Sequence, residues 1–248
     1  MNRKVVVITG ASSGIGAATA EEVGKRGASV VLVARRADLL RAAAAKCGAS
    51  AHTIVADVTK REEVRRVVNE SIAKFGHIDV WMNNVGQGIT RQPTELTDED
   101  IDEAMRVNVK SVLYGMQEVL PHFRSRNEGQ IINISSMLGR VPFAVIRSAY
   151  NGAKHYVNAL TANFRTEVQS THPGIQISLV SPGVVRTDFG INARHGGPDS
   201  RDLPDSQSAE EVAMVIAGVI ESRLPDVYTR KGACDRIAAY YAAVGVDA

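Results

Sequence analysis

The opening of the chain constrains its fold more than any other stretch. A β-branched run, Lys4–Thr9, breaks into Gly10-Ala-Ser-Ser-Gly14-Ile-Gly16 and then into a helix-forming sequence that stops at Gly27. A continuous apolar run of this kind suits a strand covered on both faces, the situation of a strand inside a parallel sheet. The glycines at the junction allow a tight strand-to-helix turn. The same alternation then repeats. Strands read at Ser29–Val33, Ala51–Val55, Ile78–Met82, Gln130–Ser135, Gln176–Val180 and Asp226–Tyr228. Helices read at Ala17–Arg26, Asp38–Cys47, Thr59 to Phe75, Thr97 to Arg126, Ala149–Ser170, Ser208 to Ser222 and Ile237–Val244. Thr59 with Glu62, and Ser208 with Glu211, have the spacing of capping boxes. Asp98, Glu99 and Asp100 place negative charge at a helix start, where the macrodipole favours it. Regular β-α alternation predicts an α/β fold: one domain over 1–248, a doubly wound parallel sheet of about seven strands, helices on both faces. The one long irregular segment, 186–207, follows a strand end and reads as a substrate loop.

Composition serves mainly to exclude. A net charge of +2 offers no basic field for nucleic acid. No apolar run reaches the length of a membrane helix, and VVVI near the N-terminus is too short for a signal segment. Cys47 and Cys234 are too few for a disulfide framework and read as free thiols in a reducing compartment, so a cytoplasmic location is expected. The six histidines show no ligand spacing, and no metal site is expected.

Three features carry chemistry. The glycine cluster between strand and helix lets backbone approach a pyrophosphate, whose charge then faces a helix N-terminus. Its spacing here is GxxxGxG. At the end of the second strand, Ala34 stands where an acid would hold the 2′-hydroxyl of NAD, and Arg35 and Arg36 follow. A guanidinium pair suits a 2′-phosphate, so NADP (NADPH) is expected rather than NAD; two solvated arginines are the plainer alternative. Third, Tyr150 and Lys154 are four apart on a helix and share a face. A nearby ammonium should pull the phenol below its usual ~10, toward a value useful for proton transfer near neutrality.

TGASSGIG at 9–16, Asp57 in ADVT, NNVG at 83–86, Asn108 in RVNVKS, ISS at 134–136, YNGAK at 150–154 and PGVVRT at 182–187 stand together in one order. By these motifs the chain resembles the short-chain dehydrogenase/reductase family over nearly its whole length. The resemblance implies a single-domain Rossmann fold and an oxidoreductase that moves hydride between NADP(H) and a small-molecule carbonyl or secondary alcohol. It implies Asn108, Ser136, Tyr150 and Lys154 as catalytic residues. Ser136 is preferred to Ser135 because Gly139 follows it by three. Tyr150 would be the general acid/base, Lys154 would lower its pKa and bind ribose, and Asn108 would hold a relay water. Asn108 also reads as a helix-interrupting residue bonding its own backbone. The implied cofactor residues are Gly10, Ser12, Ser13, Gly14, Ile15, Gly16, Arg35, Arg36, Asp57, Val58, Asn84, Gly86, Tyr150, Lys154, Pro182, Gly183, Val185 and Thr187, with Val184 beside the nicotinamide and Asn83 bracing the sheet. Family likeness further implies a homodimer or homotetramer. The C-terminal region lacks the GxxxxVDGG segment of carrier-protein reductases. Phe143, Val145, Ile146 and Phe189 could line an apolar pocket or fill core, with Gln87 a polar contact in that pocket. A non-catalytic NADPH-binding sensor or scaffold on the same fold is the rival from another class.

Overall fold

The computed structural model describes residue 1 and residues 3–245. Seven parallel strands form one sheet: β1 (Val5–Thr9), β2 (Ser29–Ala34), β3 (Ala51–Val55), β4 (Val80–Asn83), β5 (Gly129–Ile134), β6 (Ile175–Ser181) and β7 (Asp226–Tyr228), in the order β3-β2-β1-β4-β5-β6-β7. The order reverses between β1 and β4. That switch point opens a crevice at the carboxyl ends of the central strands.

The helices are α1 (Gly14–Lys25), α2 (Ala37–Ala44), α3 (Arg61–Phe75), α4 (Asp98–Met105), α5 (Ser111–Arg126), α6 (Ser148–Gln169), α7 (Ala209–Ser222) and α8 (Ala233–Val244). Period-two alternation in the strands divides the core in two. Val5, Val7, Val31, Val33, Trp81, Ile131 and Ile177 face α3, α5 and α6. Val6, Ile8, Val30, Leu32, Met82, Ile132 and Val180 face α1, α2 and α7. Both sides of β1 and β2 are therefore apolar, which is why those strands read as unbroken Val/Ile runs. Burial at about 25 cal/mol per Å² over two such faces is the main force holding the layers together.

A polar brace crosses the middle of this core. Asn83 Nδ2 donates to Asn133 Oδ1 at 2.9 Å, Asn133 Nδ2 donates to Thr161 Oγ1 at 2.9 Å, and Trp81 Nε1 donates to Asn83 Oδ1 at 2.8 Å. Buried polar groups satisfied in this way fix strand β4 against β5 and α6.

Three local expectations differ from the structure. The stretch from Thr97 to Arg126 is not one α-helix: a π-turn over Arg106–Lys110 separates α4 from α5. The Thr59–Glu62 capping box does not form. Helix α3 starts at Arg61, and the Thr59 hydroxyl instead donates to Asp57 Oδ1 at 2.8 Å, a nearer carboxylate in a turn. Reciprocal boxes do form at Ser208–Glu211 and at Thr97–Asp100. Helix α8 begins earlier than expected, at Ala233, and packs on the segment after β5: Tyr240 lies 5.6 Å from Phe143, and Tyr241 donates to the Arg140 carbonyl at 2.7 Å.

Candidate active site

A cleft of about 1460 Å³ runs along the carboxyl ends of the strands. Single-ligand pockets measure about 300–1,000 Å³, so there is room for a dinucleotide and a second molecule. At one end, β1 delivers the chain to Gly10, and α1 starts at Gly14. Ser13 is the N-cap of α1 and makes no side-chain capping bond, so first-turn amides remain for an incoming anion. Gly10, Ser12, Ser13, Gly14 and Ile15 line the cleft. A Cβ on Gly10 would fall 3.0 Å from Asn84 Nδ2, and one on Gly14 would fall 3.2 Å from Thr187 Cγ2. Gly16 does not line it. A Cβ there would overlap the Gly10 carbonyl oxygen and lie 2.6 Å from Asn84 Nδ2, so Gly16 lets α1 close onto the loop from behind.

Arg35 and Arg36 emerge exposed at the end of β2 and border the same end of the cleft. Arg36 Nη2 donates to the Ser12 and Ser13 hydroxyls, each at 3.1 Å. Neither arginine makes an ion pair among the described residues. Asp57 and Val58, after β3, form the facing wall. Burial would raise the Asp57 pKa, but two hydrogen bonds from Thr59 and the Arg35 and Arg106 charges bring it below the ordinary carboxylate value. Asn84, Gly86, Pro182, Gly183, Val184, Val185 and Thr187 continue the lining from β4 and β6. Asn84 Nδ2 points back to the Thr9 carbonyl at 3.0 Å, so its side chain braces the loop.

At the other end, Ser136, Tyr150 and Lys154 converge. Ser136 caps the short 3₁₀ turn Met137–Gly139, accepting from Leu138 N at 3.1 Å. Ser135 turns the other way and donates to Asn158 Oδ1 at 2.5 Å, a core contact. Tyr150 lies on α6 with its ring 5.3 Å from Phe189. Lys154 Nζ sits 5.6 Å from the Tyr150 ring centroid and donates to the Ile134 carbonyl at 2.8 Å. Burial pushes the phenol up to about 12, against the opposing influence of Ser136 and the Arg147 charge. Burial also lowers Lys154 to about 8. The phenol is thus raised rather than lowered in the ligand-free protein, because desolvation of phenolate outweighs the nearby charges.

Asn108 lies behind this group, fully buried inside the π-turn. Its Nδ2 donates to the Gln87 carbonyl at 3.0 Å and to the Ala104 carbonyl at 3.2 Å, and its Oδ1 accepts from Gln87 N at 2.9 Å. It therefore satisfies its own helix and clamps the loop after β4. A Cβ on Gly86 would stand 3.3 Å from Asn108 Oδ1 and 3.7 Å from Lys154 Nζ, so the two side chains approach Gly86 together. Gln87, Phe143, Ile146 and Phe189 line the cleft, whereas Val145 is 60% exposed and does not.

The 186–207 segment roofs this end. Its ends meet: Arg186 N donates to the Gln207 carbonyl and Gln207 N to the Val184 carbonyl, each at 2.9 Å. Its middle is bound to the loop after β4, Arg194 N to the Gly88 carbonyl at 2.9 Å and Thr90 N to the Arg194 carbonyl at 3.0 Å. The wholly buried Asp100 pairs with Arg194 at 3.1 Å, His195 at 2.8 Å and Arg91 at 3.3 Å. Burial alone would raise that carboxyl, yet its hydrogen bonds and the surrounding cations hold it below its ordinary value. Nothing in the spacing of the sequence singles out this tether, nor Arg147, a buried guanidinium on the cleft wall.

The arrangement has relatives. A family model described as short chain dehydrogenase matches residues 4–197. A Staphylococcus saprophyticus protein described as an uncharacterized oxidoreductase is 39% identical over 187 residues, covering 75% of this chain and 76% of its own. A short chain dehydrogenase/reductase from Burkholderia phymatum, solved in complex with NAD, superposes with a TM-score of 0.88 at 24% identity over 96% of this chain and 92% of its own. An alcohol dehydrogenase from the archaeon Thermococcus sibiricus, complexed with 5-hydroxy-NADP, gives 0.80 at 26% identity over 92% and 96%. No helix among the described residues is long and apolar enough to cross a membrane.

Proposed function

The chain belongs to the short chain dehydrogenase family of oxidoreductases, and from that premise we propose that it reduces a small-molecule carbonyl with NADPH, with Tyr150 as proton donor. One observation carries the reading: Ser136, Tyr150 and Lys154 meet in the same cleft that the glycine loop opens into. The residues present fit a dinucleotide. Gly10 and Gly14 leave a cradle that side chains would fill, an uncapped helix start faces it, and two arginines without ion pairs among the described residues stand at its rim. The pair Arg35 and Arg36, with Ala34 in place of an acid, favours the 2′-phosphate of NADP.

When bound, NADPH supplies the hydride. Ser136 donates to the carbonyl oxygen as negative charge develops there. Tyr150, kept protonated by burial with a pKa of about 12, gives its proton to the nascent alkoxide. Lys154, at about 8, is mostly cationic at pH 7 and stabilises the phenolate left behind. Asn108 fixes the Gly86–Gln87 backbone that this ammonium faces.

The test is a fluorescence titration with NADPH and NADH side by side, followed by carbonyl-dependent NADPH consumption. Arg36→Ala should weaken NADPH at least tenfold and NADH little; equal effects refute the 2′-phosphate assignment. Tyr150→Phe should abolish turnover and leave NADPH binding intact. Binding without turnover of any carbonyl would favour the sensor or scaffold reading.

A further inference from the structure

Arg147 is the most anomalous charge in the molecule. It is 7% exposed and forms no ion pair among the described residues. Among the described residues its side chain makes one long hydrogen bond, Nη2 to the Gly190 carbonyl at 3.5 Å, and Nη1 has no partner. It is also the N-cap of the 22-residue helix α6, the pole at which the macrodipole disfavours a cation. Burial lowers its pKa from the usual guanidinium value. A buried charge without a counter-charge is destabilising, and here hydrogen bonds do little to offset it.

Its surroundings are shaped to hold the group. A Cβ on Gly88 would overlap Nη1, and one on Gly197 would fall 2.6 Å from Nη2. Two loops thus lack side chains where the guanidinium lies. It stands three residues before Tyr150, and its charge acts on the phenol. Gly190, which accepts from it, follows Phe189, whose ring packs on Tyr150. The guanidinium and the phenol therefore flank one stretch of cleft wall, which Ser200, itself buried, also borders.

We propose that Arg147 is the substrate's anion seat, and that the substrate is a short oxo acid whose carboxylate pairs with this guanidinium while its carbonyl meets Ser136 and Tyr150. An arriving carboxylate would supply the missing counter-charge, use the unpartnered donors and suit the positive end of α6. This rests on the carbonyl-reductase reading above and narrows it to one substrate class. The lid segment carrying Gly190 and Gly197 has to shift to admit the carboxylate, since Nη1 is enclosed without ligand.

The experiment pairs anionic and neutral isosteres. Wild type and Arg147→Gln are assayed with a 3-oxo carboxylate and its methyl ester, and, independently of turnover, butanoate and butanamide are titrated calorimetrically into each protein. Wild type should prefer the oxo acid about a hundredfold in kcat/KM, and should bind butanoate and not butanamide. Arg147→Gln should lose the acid preference, the acid-to-ester ratio of kcat/KM falling to near one, and should no longer bind butanoate. Equal activity on acid and ester in wild type refutes the proposal. So does an equal loss on both in the variant, which would make Arg147 a structural strut. If no carbonyl is turned over, the reductase reading fails, and the butanoate titration alone decides the anion seat. Should Arg147→Gln misfold, Arg147→Lys serves instead. It keeps the charge without the fork and should retain an acid preference reduced at least tenfold; an undiminished preference overturns the bidentate seat.

Discussion

Lys154→Met should make the ligand-free protein more stable at neutral pH. Lys154 is 3% exposed, and burial lowers its pKa to about 8 from an ordinary 10.5. Below pH 8 the amine is charged in both folded and unfolded chains, and the folded state bears the whole desolvation cost. A shift of this size corresponds to about 3 kcal/mol. As pH rises from 8 toward 10.5 the folded chain releases its proton first, the unfolded chain binds more protons, and stability rises. Between pH 7 and pH 10 the relief amounts to roughly 2–3 kcal/mol in the wild type and is absent in the variant. Tyr150, pushed up to about 12, favours unfolding at high pH, but both proteins contain it and it cancels in the difference. The hydrogen bond from Nζ to the Ile134 carbonyl is lost in the variant at about 1 kcal/mol, independent of pH. The net gain at pH 7 is therefore about 1–2 kcal/mol, a rise in Tm of about 2–8 °C for a chain of this size. Urea denaturation of both proteins at pH 7, 8.5 and 10, without cofactor, reads it directly. A variant no more stable at pH 7, or an advantage that does not shrink toward pH 10, would refute the reasoning.

Two further outcomes follow from packing. Asp100→Asn strips the counter-charge from Arg91 and Arg194 and a carboxylate partner from His195. Its partners are partly exposed, so the loss should be about 1–3 kcal/mol in urea titrations, less than for a wholly buried pair. Because the Asp100 pKa is depressed in the folded chain, the wild type's advantage over the variant should be present above the ordinary carboxylate range and fade as pH falls through it; an advantage that grows on acidification contradicts the assignment. Gly16→Ala forces a Cβ against the Gly10 carbonyl oxygen and should cost about 1–3 kcal/mol of stability and at least tenfold in NADPH affinity, measured by denaturation and fluorescence titration. Unchanged affinity would show that the loop tolerates being pushed outward.

Much of the architecture was legible because its causes are local. Apolar runs without alternation mark strands covered on both faces, and the two-sided core is the direct result. The glycine loop, Ser136, Tyr150 and Lys154 were legible as residue types in order; their convergence on one cleft comes from the parallel topology, which puts every strand's carboxyl end on one side. The π-turn was not legible, because one residue's slip leaves the helical periodicity of Val107, Val112 and Met116 nearly intact. At Thr59 the spacing of a capping box was present, but a carboxylate two residues away competed for the hydroxyl and won. At Thr97 a true box formed with Asp100, a shorter acid than the pattern specifies. The pKa of Tyr150 could not be read from a four-residue spacing, since it depends on how completely the lid and α6 exclude water. Arg147 gave no signal, because an arginine before a helix is ordinary until two distant glycines, Gly88 and Gly197, are seen to make room for it.

The joined ends of the 186–207 segment have an evolutionary consequence. A stretch whose two ends meet, Val185 opposite Gln207, and whose middle is held at Ile89 and Asp100 is an exchangeable cassette provided those anchors are kept. Its length and composition can change without rerouting the strands that carry the reactive groups. The family model's match stops at residue 197, inside this cassette. Transplanting the cassette between relatives would exchange this part of the cleft wall while Ser136, Tyr150, Lys154 and Arg147 stay in place.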